Sequence, residues 1–397
     1  MAKVLIAHSL YPPNIIGGAE VSTQILAQTL RRRYEVQVVT VGRHNDRKVQ
    51  LDRVNGIDVF RLPYNNQYWV GDIERQSSVA SKVMWRIQDI FNLRQYRHIK
   101  EILVRERPDL VHTQNLPGIS LAIWRAAREL NIPVVHTLRD YSLIEPIGIS
   151  VYSKIYRVFS RKSSQTISSV IGISGHILGT HTGLGFFEGS SKHVVHNIVE
   201  NDADAAELYE QKKVNVNGPL HIGYFGQLTE VKGVQYLIEA FKELGPDIAG
   251  QLHIFGEGPL LSSLQQSAAS DNRIKFEGKI AKTEIARQMA AMDLVIVPSI
   301  WGEPFGRVVI ESYQVGTPVY ASRVGGMVEI LLDADDFSFD RQSSEAIKQS
   351  ILRYFHLSEE QKEKIKERCY DHSQTFNESY LLSNHVNIYD KLIRHGG

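Results

Sequence analysis

Short, continuously apolar segments recur along this chain in two separate runs, and the segments between them are long enough to form crossover helices. Apolar segments of this kind, rich in Val, Ile and Leu, are typical of strands buried on both faces of a parallel sheet. Strand-then-helix alternation predicts parallel sheets covered by helices. The predicted strands are 3–8, 36–41, 110–114, 134–138, 170–174 and 193–197, with a hairpin over 54–62, in the first run and 221–225, 252–255, 274–277, 294–298 and 319–321 in the second.

A polar, acidic stretch over 200–217 separates the two runs. It shows no periodic apolar face, and we predict that it is a linker. A chain of 397 residues also exceeds what one ordinary core accommodates and fits two domains. We therefore predict an α/β protein with two doubly wound, Rossmann-like domains facing each other across a cleft. The first spans 1–200 and the second spans 215–376.

The net charge differs between the two halves of the chain. Residues 1–190 contain 24 Lys and Arg against 15 Asp and Glu, a net charge of +9, whereas residues 191–397 contain 21 against 29, a net charge of −8. A basic first half favours an anionic partner, because such a field attracts and concentrates opposite charge. A recognised nucleic-acid-binding motif does not accompany it, so we do not expect nucleic acid to be that partner.

Basic and aromatic residues interleave in one part of the first half. This pattern predicts a helix resting on anionic lipid head groups, and a solvated helix face with core aromatics is the alternative. The basic residues are Lys82, Arg86, Arg94, Arg97, Lys100, Arg105 and Arg107, and the aromatic ones are Trp85, Phe91 and Tyr96.

The sequence predicts a cytoplasmic protein, peripheral at the inner face of the membrane. No apolar run approaches the roughly 20 residues that cross a bilayer, and Pro12-Pro13 cuts short the apolar opening segment. Cys369 is the only cysteine, which excludes an internal disulfide and a cysteine-based zinc cluster. Its place among charged residues late in the chain favours an incidental thiol over a nucleophile.

The segment 299–312 places two carboxylates where a predicted strand gives way to a helix. Pro304 suits the first turn of a helix, where its missing N–H costs nothing, so the helix is predicted to begin near Pro304. Glu303 would then lie just before the helix and Glu311 about two turns into it. A plain strand-to-helix connection, with Glu311 on a solvated face, is the alternative.

The predicted helix start is suited to an anion. The backbone amides of Phe305, Gly306 and Arg307 would point out of the N-terminus, where the helix dipole is positive. A phosphate binds favourably at such a position. With Glu303 and Glu311 on either side, the segment suits a ligand that carries sugar hydroxyls at both ends of a diphosphate.

Glycines and one lysine follow other predicted strands. Gly17-Gly18 follows the first strand and lets the backbone approach a ligand closely, although the loop matches neither a Walker sequence nor G-x-G-x-x-G. Gly256 and Gly258 follow the strand 252–255 and on their own indicate a turn as readily as a nucleotide site. Lys232 opens a predicted helix over 232–244, where it either contacts a phosphate or is simply exposed.

These residues together resemble a known family. They resemble the family 4 retaining glycosyltransferases of the GT-B fold, also called glycosyl transferases group 1, and the resemblance spans almost the whole chain. The motifs are Gly17-Gly18-Ala19-Glu20, Lys232-Gly233, Gly256-x-Gly258, Glu303-Pro304-Phe305-Gly306 with Glu311, Gly316-Thr317-Pro318-Val319 and Gly325-Gly326.

The resemblance implies a role for each matching residue. The nucleotide would lie in the interdomain cleft, and neither a metal nor a cofactor is expected. Glu303 would contact hydroxyls of the donor sugar, Phe305, Gly306 and Arg307 would donate amides to the diphosphate, Glu311 would bind the ribose, Lys232 would neutralise the leaving phosphates, and Gly17, Gly18, Gln227, Gly256 and Gly258 would complete the donor site.

Two positions depart from the family pattern. Arg139-Asp140 stands where many relatives carry His-Asp, with His136 three residues earlier, and Gln227 replaces an arginine. Arg139 cannot be a base at neutral pH, but it can hold an anionic group with two parallel hydrogen bonds. The predicted catalytic residues are Glu303, Lys232, Arg139 and Asp140.

The resemblance also implies an activity and a last helix. We predict a retaining, metal-independent hexosyltransferase that moves a sugar from a UDP- or GDP-linked donor to a glycan or lipid-linked acceptor on the first domain, in surface polysaccharide biosynthesis. Two alternatives stay open: a catalytically weak nucleotide-sugar-binding partner subunit of another transferase, and a dinucleotide-dependent oxidoreductase, which the missing glycine fingerprint disfavours. Family members return a last helix to the first domain, which residues 377–397 would supply.

Overall fold

The chain divides into two compact units in the computed structural model. The structure describes residues 1–75, 78–145, 150–200 and 204–395. The first unit comprises Met1–Asn197 and Glu378–Gly397, and the second comprises Ile198–Asn377. Residues 201–203 of the predicted linker lie outside the described residues.

The first unit is built on one eight-stranded sheet. Its strands are β1 (Lys3–Ala7), β2 (Glu35–Val41), β3 (Gln50–Val54), β4 (Ile57–Leu62), β5 (Leu110–Thr113), β6 (Val134–Leu138), β7 (Ser169–Gly172) and β8 (Ser191–Val194). They lie in the order β3-β4-β2-β1-β5-β6-β7-β8. Every pair is parallel except the β3–β4 hairpin, which begins at Gln50 and so extends four residues further back than predicted.

Helices connect these strands in the first unit. They are α1 (Gly18–Leu30), α2 (Val79–Ile90), α3 (Leu93–Glu106), α4 (Ala122–Glu129), α5 (Ser150–Ser164) and α6 (Gly175–Thr182), with a 3-10 helix over Val70–Arg75. Side chains set several of the helix starts. Asn92 Oδ1 accepts hydrogen bonds from the first amides of α3, and Ser174 Oγ accepts one from Ile177 in α6.

The second unit has a six-stranded, wholly parallel sheet. Its strands are β9 (Leu220–Phe225), β10 (Ala249–Phe255), β11 (Ile274–Gly278), β12 (Leu294–Val297), β13 (Val319–Ser322) and β14 (Ser338–Phe339). The order is β11-β10-β9-β12-β13-β14. All four residues of β12 are buried, which explains its continuously apolar sequence.

Eight described helices belong to the second unit. They are α7 (Ala205–Gln211), α8 (Val234–Lys242), α9 (Leu261–Ala268), α10 (Lys282–Ala290), α11 (Arg307–Tyr313), α12 (Ala334–Phe337), α13 (Ser344–Phe355) and α14 (Glu359–Gln374), with 3-10 helices over Glu230–Lys232 and Gly325–Glu329. Cys369 lies buried in α14, and burial raises the pKa of its thiol, so it is poorly suited to act as a nucleophile.

The last helix, α15 (Glu378–His395), packs into the first unit. It contacts α1 and β5, and Tyr389 is fully buried there with its hydroxyl hydrogen-bonded to His112 Nδ1. Tyr34 Oη also donates to Asp390 Oδ1 at 2.7 Å. These contacts tie the end of the chain to strands that lie near its beginning.

The predicted linker over 200–217 contains a short helix, α7, which its sequence did not indicate. Ala205 is buried in a small apolar cluster with Met289 and Val315, and the ring of Tyr209 stacks on Tyr370 at 3.9 Å between centroids. Tertiary packing therefore makes this short segment helical, although its own apolar pattern is weak.

The predicted fold class, α/β with two Rossmann-like parallel sheets, is confirmed by the strand order and pairing. Within the described ranges, no helix is both long enough and apolar enough to cross a bilayer.

Candidate functional site

Each sheet has a point where its strand order reverses. In the second unit the chain runs outward from β9 to β10 and β11, and it then returns to β12 and runs outward the other way. In the first unit the same reversal lies between β1 and β5. Crossovers on the two sides leave a crevice beyond the carboxyl ends of these neighbouring strands, where open α/β sheets bind ligands.

At the reversal in the second sheet, Lys232 and Glu303 form a hydrogen-bonded ion pair. Lys232 follows β9 and Glu303 follows β12. Ser299 Oγ donates to the same carboxylate oxygen, Oε1, at 2.8 Å. The side chain of Glu303 is 12% exposed and that of Lys232 is 26% exposed, so both groups remain within reach of a ligand.

A close backbone contact holds Lys232 at this position. The turn Glu230–Lys232 docks on the chain after β12, where Ile300 N donates to Val231 O at 2.8 Å. Gly233 has φ +69°, and a Cβ there would lie 2.0 Å from Pro298 O. Only glycine fits this position. Lys232 ends this 3-10 turn two residues before α8 and does not open the helix as predicted.

Gly325 and Gly326 contact the backbone of the loop that carries Glu303. Gly326 N donates to Glu303 O at 2.7 Å. Gly325 has φ +62°, and a Cβ there would lie 2.3 Å from the same carbonyl oxygen. The backbone at Gly325 and Gly326 thus packs directly against the backbone of Glu303, which holds Glu303 at its position after β12.

The prediction that a helix begins near Pro304 was wrong, because α11 begins at Arg307. Gly306 has φ +96°, which is not helical, and Phe305 is buried with its ring edge-on to Phe376. Anchoring Phe305 in the core pulls the chain out of helical geometry until Arg307. The first turn of α11 therefore begins at Arg307, and Val309 N donates to Gly306 O at 3.0 Å.

Glu311 lies one turn into α11 and pairs with Arg307, whose Nη2 is 3.1 Å from Oε1. Both side chains line a pocket of about 240 Å³. The rest of its lining includes both polar and apolar residues. These residues are Val199, Glu200, Lys282, Thr283, Ile285, Ala286, Met289 and Gln314.

The structure gives Gly256 and Gly258 a packing reason to be glycine. Gly256 has φ +141°, and a Cβ there would lie 1.8 Å from Gly226 O. A Cβ on Gly258 would lie 2.4 Å from Leu228 O. The loop after β10 therefore presses on the loop after β9, which carries Gln227 with its side chain exposed.

At the reversal in the first sheet, Arg139 and Gln114 form a polar cluster with His8. Arg139 Nε donates to Gln114 Oε1, which also accepts from Thr23 Oγ1 of α1 at 2.7 Å. Arg139 Nη1 donates to Asn197 Oδ1 at 2.7 Å. His8 is fully buried, and burial together with the Arg139 charge lowers its pKa to about 3.

This cluster contains buried polar atoms that have no hydrogen-bond partner. Because Arg139 can only donate, Gln114 must turn its oxygen toward it, which leaves Gln114 Nε2 buried without an acceptor. His8 Nε2 is buried without a partner as well. Unpaired buried groups are costly, and a polar ligand would satisfy them. Both residues directly follow a strand, at β5 and β1, and this position was the signal that could have identified them from sequence.

Gly17, Gly18 and Asp140 also lie in the first unit. Gly17 is exposed just before α1, and its amide donates to Glu20 Oε2 at 2.8 Å. Gly18 begins α1 and is exposed. Asp140 Oδ1 accepts from Ser142 N at 2.8 Å, which holds this carboxylate in the turn after β6. Across the described residues, no group of three His, Cys, Asp or Glu side chains is placed to hold a metal ion.

Comparisons with known proteins agree with this architecture. The family model "Glycosyl transferases group 1" matches residues 206–372, and the model "Glycosyl transferase 4-like domain" matches residues 17–197. An uncharacterized 42.6 kDa protein in the cps region of Klebsiella pneumoniae is 30% identical, over 83% of this chain and 87% of that protein.

Solved structures share the fold. Sucrose-phosphate synthase from Thermosynechococcus elongatus superposes with a TM-score of 0.76 at 16% identity, with all of both chains covered. The Anabaena protein HepE, in complex with UDP and glucose, superposes with a TM-score of 0.69 at 20% identity, over 98% of this chain and 100% of that one. The chain therefore belongs to the glycosyl transferases group 1 family and is a retaining, GT-B-fold glycosyltransferase that uses nucleotide sugars.

Proposed function

We propose that this chain transfers a hexose from a UDP- or GDP-linked donor to a glycan or lipid-linked acceptor in surface polysaccharide biosynthesis. The observation that carries the proposal is the Lys232–Glu303 pair at the strand-order reversal of the second sheet. The relative from the cps region and the UDP and glucose bound to the Anabaena neighbour support it, and the latter favours UDP. A cytoplasmic location is part of the proposal.

The two charges of the Lys232–Glu303 pair have separate roles in the proposed reaction. As the bond between sugar and diphosphate breaks, negative charge grows on the leaving phosphate, and Lys232 together with the first amides of α11 stabilises it. Both hydrogen bonds described for the Glu303 carboxylate end on Oε1. We assign Oε2 to the hydroxyls of the donor sugar, which it would orient for transfer.

The pocket beside α11 suits the nucleoside. Its apolar wall, which includes Ile285 and Met289, fits the face of a base, and Glu311 is placed to accept hydrogen bonds from ribose hydroxyls. Arg307 neutralises Glu311 in the absence of ligand.

Transfer with retention of configuration requires little base catalysis from a protein side chain here. The leaving phosphate itself can take the proton of the acceptor hydroxyl as that oxygen bonds to the sugar on the face that the phosphate leaves. We therefore assign the Arg139 guanidinium to the acceptor rather than to proton transfer. With Gln114 Nε2 and His8 Nε2 unpaired beside it, it forms a site for an acceptor that carries an anionic group and a hydroxyl.

Ligand-dependent thermal stability of the purified chain tests the donor site. UDP, GDP and UDP-glucose are added separately, because a ligand that binds only the folded state raises the melting temperature. Lys232→Met should weaken nucleoside diphosphate binding by about 10-fold or more, since it removes a charge-assisted contact. Lys242→Met, an exposed lysine on α8, is the matched control. Equal binding by Lys232→Met and the unaltered chain would contradict the proposal.

A binding-only partner subunit is the second candidate. It is favoured by Arg139 and Gln227, which stand where relatives carry His and Arg. Purified chain incubated with UDP-glucose separates the two, because a transferase releases UDP slowly by hydrolysis and a binding subunit releases none. Glu303→Gln should keep UDP affinity and lower that release by about 100-fold, the size typical for loss of one transition-state contact.

A further inference from the structure

Helix α5 has its apolar and polar sides reversed. Ser153, Ser160 and Ser164 are at most 2% exposed and face the interior, where Ser160 Oγ donates to Leu143 O at 2.7 Å. At 100° per residue these three serines lie within about 40° of one another around the helix. The outward side carries large apolar residues. Ordinary packing buries those residues and exposes the serines.

The outward stripe of α5 consists of Ile155, Val158 and Phe159, each more than half exposed. Lys162 continues the same stripe, and Lys154 and Arg161 flank it. The helix of 15 residues contains no Asp or Glu. An apolar stripe with cations along one side and no acidic residue on the helix is therefore presented to solvent.

Helix α2 packs against α5 and extends the surface. Met84 and Ile87 lie on one stripe of α2, and Phe91 directly follows the helix; the three side chains are 40–53% exposed. Trp85 and Asp89 point inward: Trp85 is fully buried, and Asp89 accepts from Gly118 N at 3.0 Å. The only acidic side chain on either helix is thus withdrawn from the surface.

We infer that the α2–α5 face, defined by these two apolar stripes and their flanking cations, docks on an anionic lipid surface. Five large apolar side chains on two neighbouring helices, with Phe91 directly after α2, exceed the scattered single exposures of an ordinary surface. Helices of 12 and 15 residues that combine an apolar stripe with Lys and Arg lie in the head-group plane, where each cation adds attraction to anionic lipid.

The structure locates this face differently from the sequence. Much of the basic and aromatic stretch over 82–107 is engaged within the protein. Trp85 Nε1 donates to Tyr68 O at 2.8 Å, and Lys100 and Tyr96 both bind the Glu129 carboxylate. In the inferred surface the cations come from α5, whereas the sequence analysis took them largely from the segment that forms α3. The face does not depend on the donor site, and it agrees with the lipid-linked acceptor of the proposed function.

Sedimentation of the full chain with two kinds of vesicle tests the inference. One kind is made of phosphatidylcholine alone, and the other of phosphatidylcholine with about 30% phosphatidylglycerol, an anionic lipid. We expect binding to the anionic vesicles that weakens when salt is raised. The double substitution Val158→Ser with Phe159→Ser should reduce binding by about 10-fold or more, and Lys154→Gln with Lys162→Gln should reduce it on anionic vesicles alone. Leu51→Ser, an equally exposed residue on β3, should leave binding unchanged.

Three results would overturn the inference. They are failure of the unaltered chain to bind anionic vesicles, equal binding by the Val158→Ser, Phe159→Ser variant, and self-association of the chain that this variant abolishes while vesicle binding persists. Stabilisation by UDP is measured on every variant in parallel. Because the α2–α5 face and the Lys232 site lie on different units, loss of vesicle binding with retained UDP binding rejects the membrane surface without affecting the proposed transferase.

Discussion

At the residue scale, a glycine that matches a ligand-binding motif can be required by backbone packing alone. The family resemblance implies a donor-site role for Gly256, and the structure shows a packing reason that excludes a side chain there. We predict that Gly256→Ala lowers the free energy of unfolding by roughly 2–4 kcal/mol, because it combines φ +141° with a Cβ contact at 1.8 Å to Gly226 O. Urea denaturation of the second unit without nucleotide measures it.

Gly179→Ala is the matched control for that substitution. Gly179 is exposed within α6, and a Cβ there would meet nothing within 4 Å. Alanine in a helix should be neutral or stabilising by up to about 1 kcal/mol. Unchanged stability of Gly256→Ala together with lost UDP binding would show that the glycine serves only the ligand.

Arg139 leads to a second prediction at this scale. Thermal stabilisation of the chain by inorganic phosphate and by sugar phosphates should be lost in Arg139→Gln, because the guanidinium supplies the charge of the cluster with Gln114 and His8. Stabilisation by UDP should persist, since UDP is assigned to the second unit. Arg128→Gln, an exposed arginine on α4, serves as the comparison. If Arg139→Gln instead weakens UDP binding, Arg139 belongs to the donor site.

At the element scale, continuously buried strands were predictable because their signal is local. β6 was predicted with its observed bounds, and β12 with one extra residue, since burial on both faces requires apolar residues throughout. Elements that depend on distant contacts were not predictable. α7 forms because Ala205 and Tyr209 meet partners from α10 and α14, and α11 starts late because Phe305 is anchored on Phe376.

The candidate site, too, was predictable only where the sequence signal is local. Lys232 and Glu303 were identified from sequence because each follows a strand, but their mutual contact depends on a register between two loops that only the fold sets. His8 and Gln114 were missed because a single His or Gln carries little signal by itself. Their unpaired atoms become visible only when the surrounding side chains are in place.

Helix α15 gives a prediction about long-range packing. Tyr389→Ala should destabilise the first unit by about 3–5 kcal/mol, because it removes a fully buried aromatic side chain and the partner of His112 Nδ1. Tyr389→Phe, which loses only the hydroxyl, should cost about 1–2 kcal/mol. Chemical denaturation followed by tryptophan fluorescence measures both, since Trp69, Trp85 and Trp124 are buried in the first unit.

Lys391→Ala, an exposed change on the same helix, is the control and should leave stability within about 0.5 kcal/mol of the unaltered chain. Although Asn377 and the helix that follows it are adjacent in sequence, the structure assigns them to different units. A shift of the second unit's unfolding transition by Tyr389→Ala, with the first unit unaffected, would contradict this assignment.

At the scale of the whole molecule, both sheets concentrate unusual polar groups at the reversal of strand order. The second sheet places an ion pair there, and the first places an arginine, a glutamine and a histidine. Neither group contributes to an apolar core. The same topological rule thus places the proposed donor site in one unit and the proposed acceptor site in the other.

The two units should also differ in acid stability, because buried histidines occur in only one of them among the described residues. Burial lowers the pKa of His8 and His136 to about 3 and that of His385 to about 4, with the Arg139 charge contributing at His8 and His385. Burial, with the neighbouring histidines and Arg139, also lowers the pKa of His112. All four histidines of the second unit are partly exposed.

Proton binding determines whether acidification stabilises or destabilises the first unit. The folded pKa values lie below the unfolded value of about 6.5, so the unfolded chain binds more protons as pH falls, and the first unit loses stability between pH 6.5 and pH 3. At pH 4 the loss is about 3 kcal/mol for each of His8 and His136. Asp89 acts in the opposite direction, because burial raises its pKa to about 6, but it is one group against five, since burial also lowers the pKa of His181.

We therefore predict that the first unit unfolds at a higher pH than the second when the chain is acidified from pH 7. Hydrogen exchange of peptides from each unit, followed through the titration, distinguishes the two transitions, and the fluorescence of the three buried tryptophans should change with the earlier one. His136→Asn should move that earlier transition to lower pH, because it removes a group that must become charged, whereas His221→Asn on β9 should not. Simultaneous unfolding of both units, or earlier unfolding of the second, would show that the buried histidines do not control the acid response.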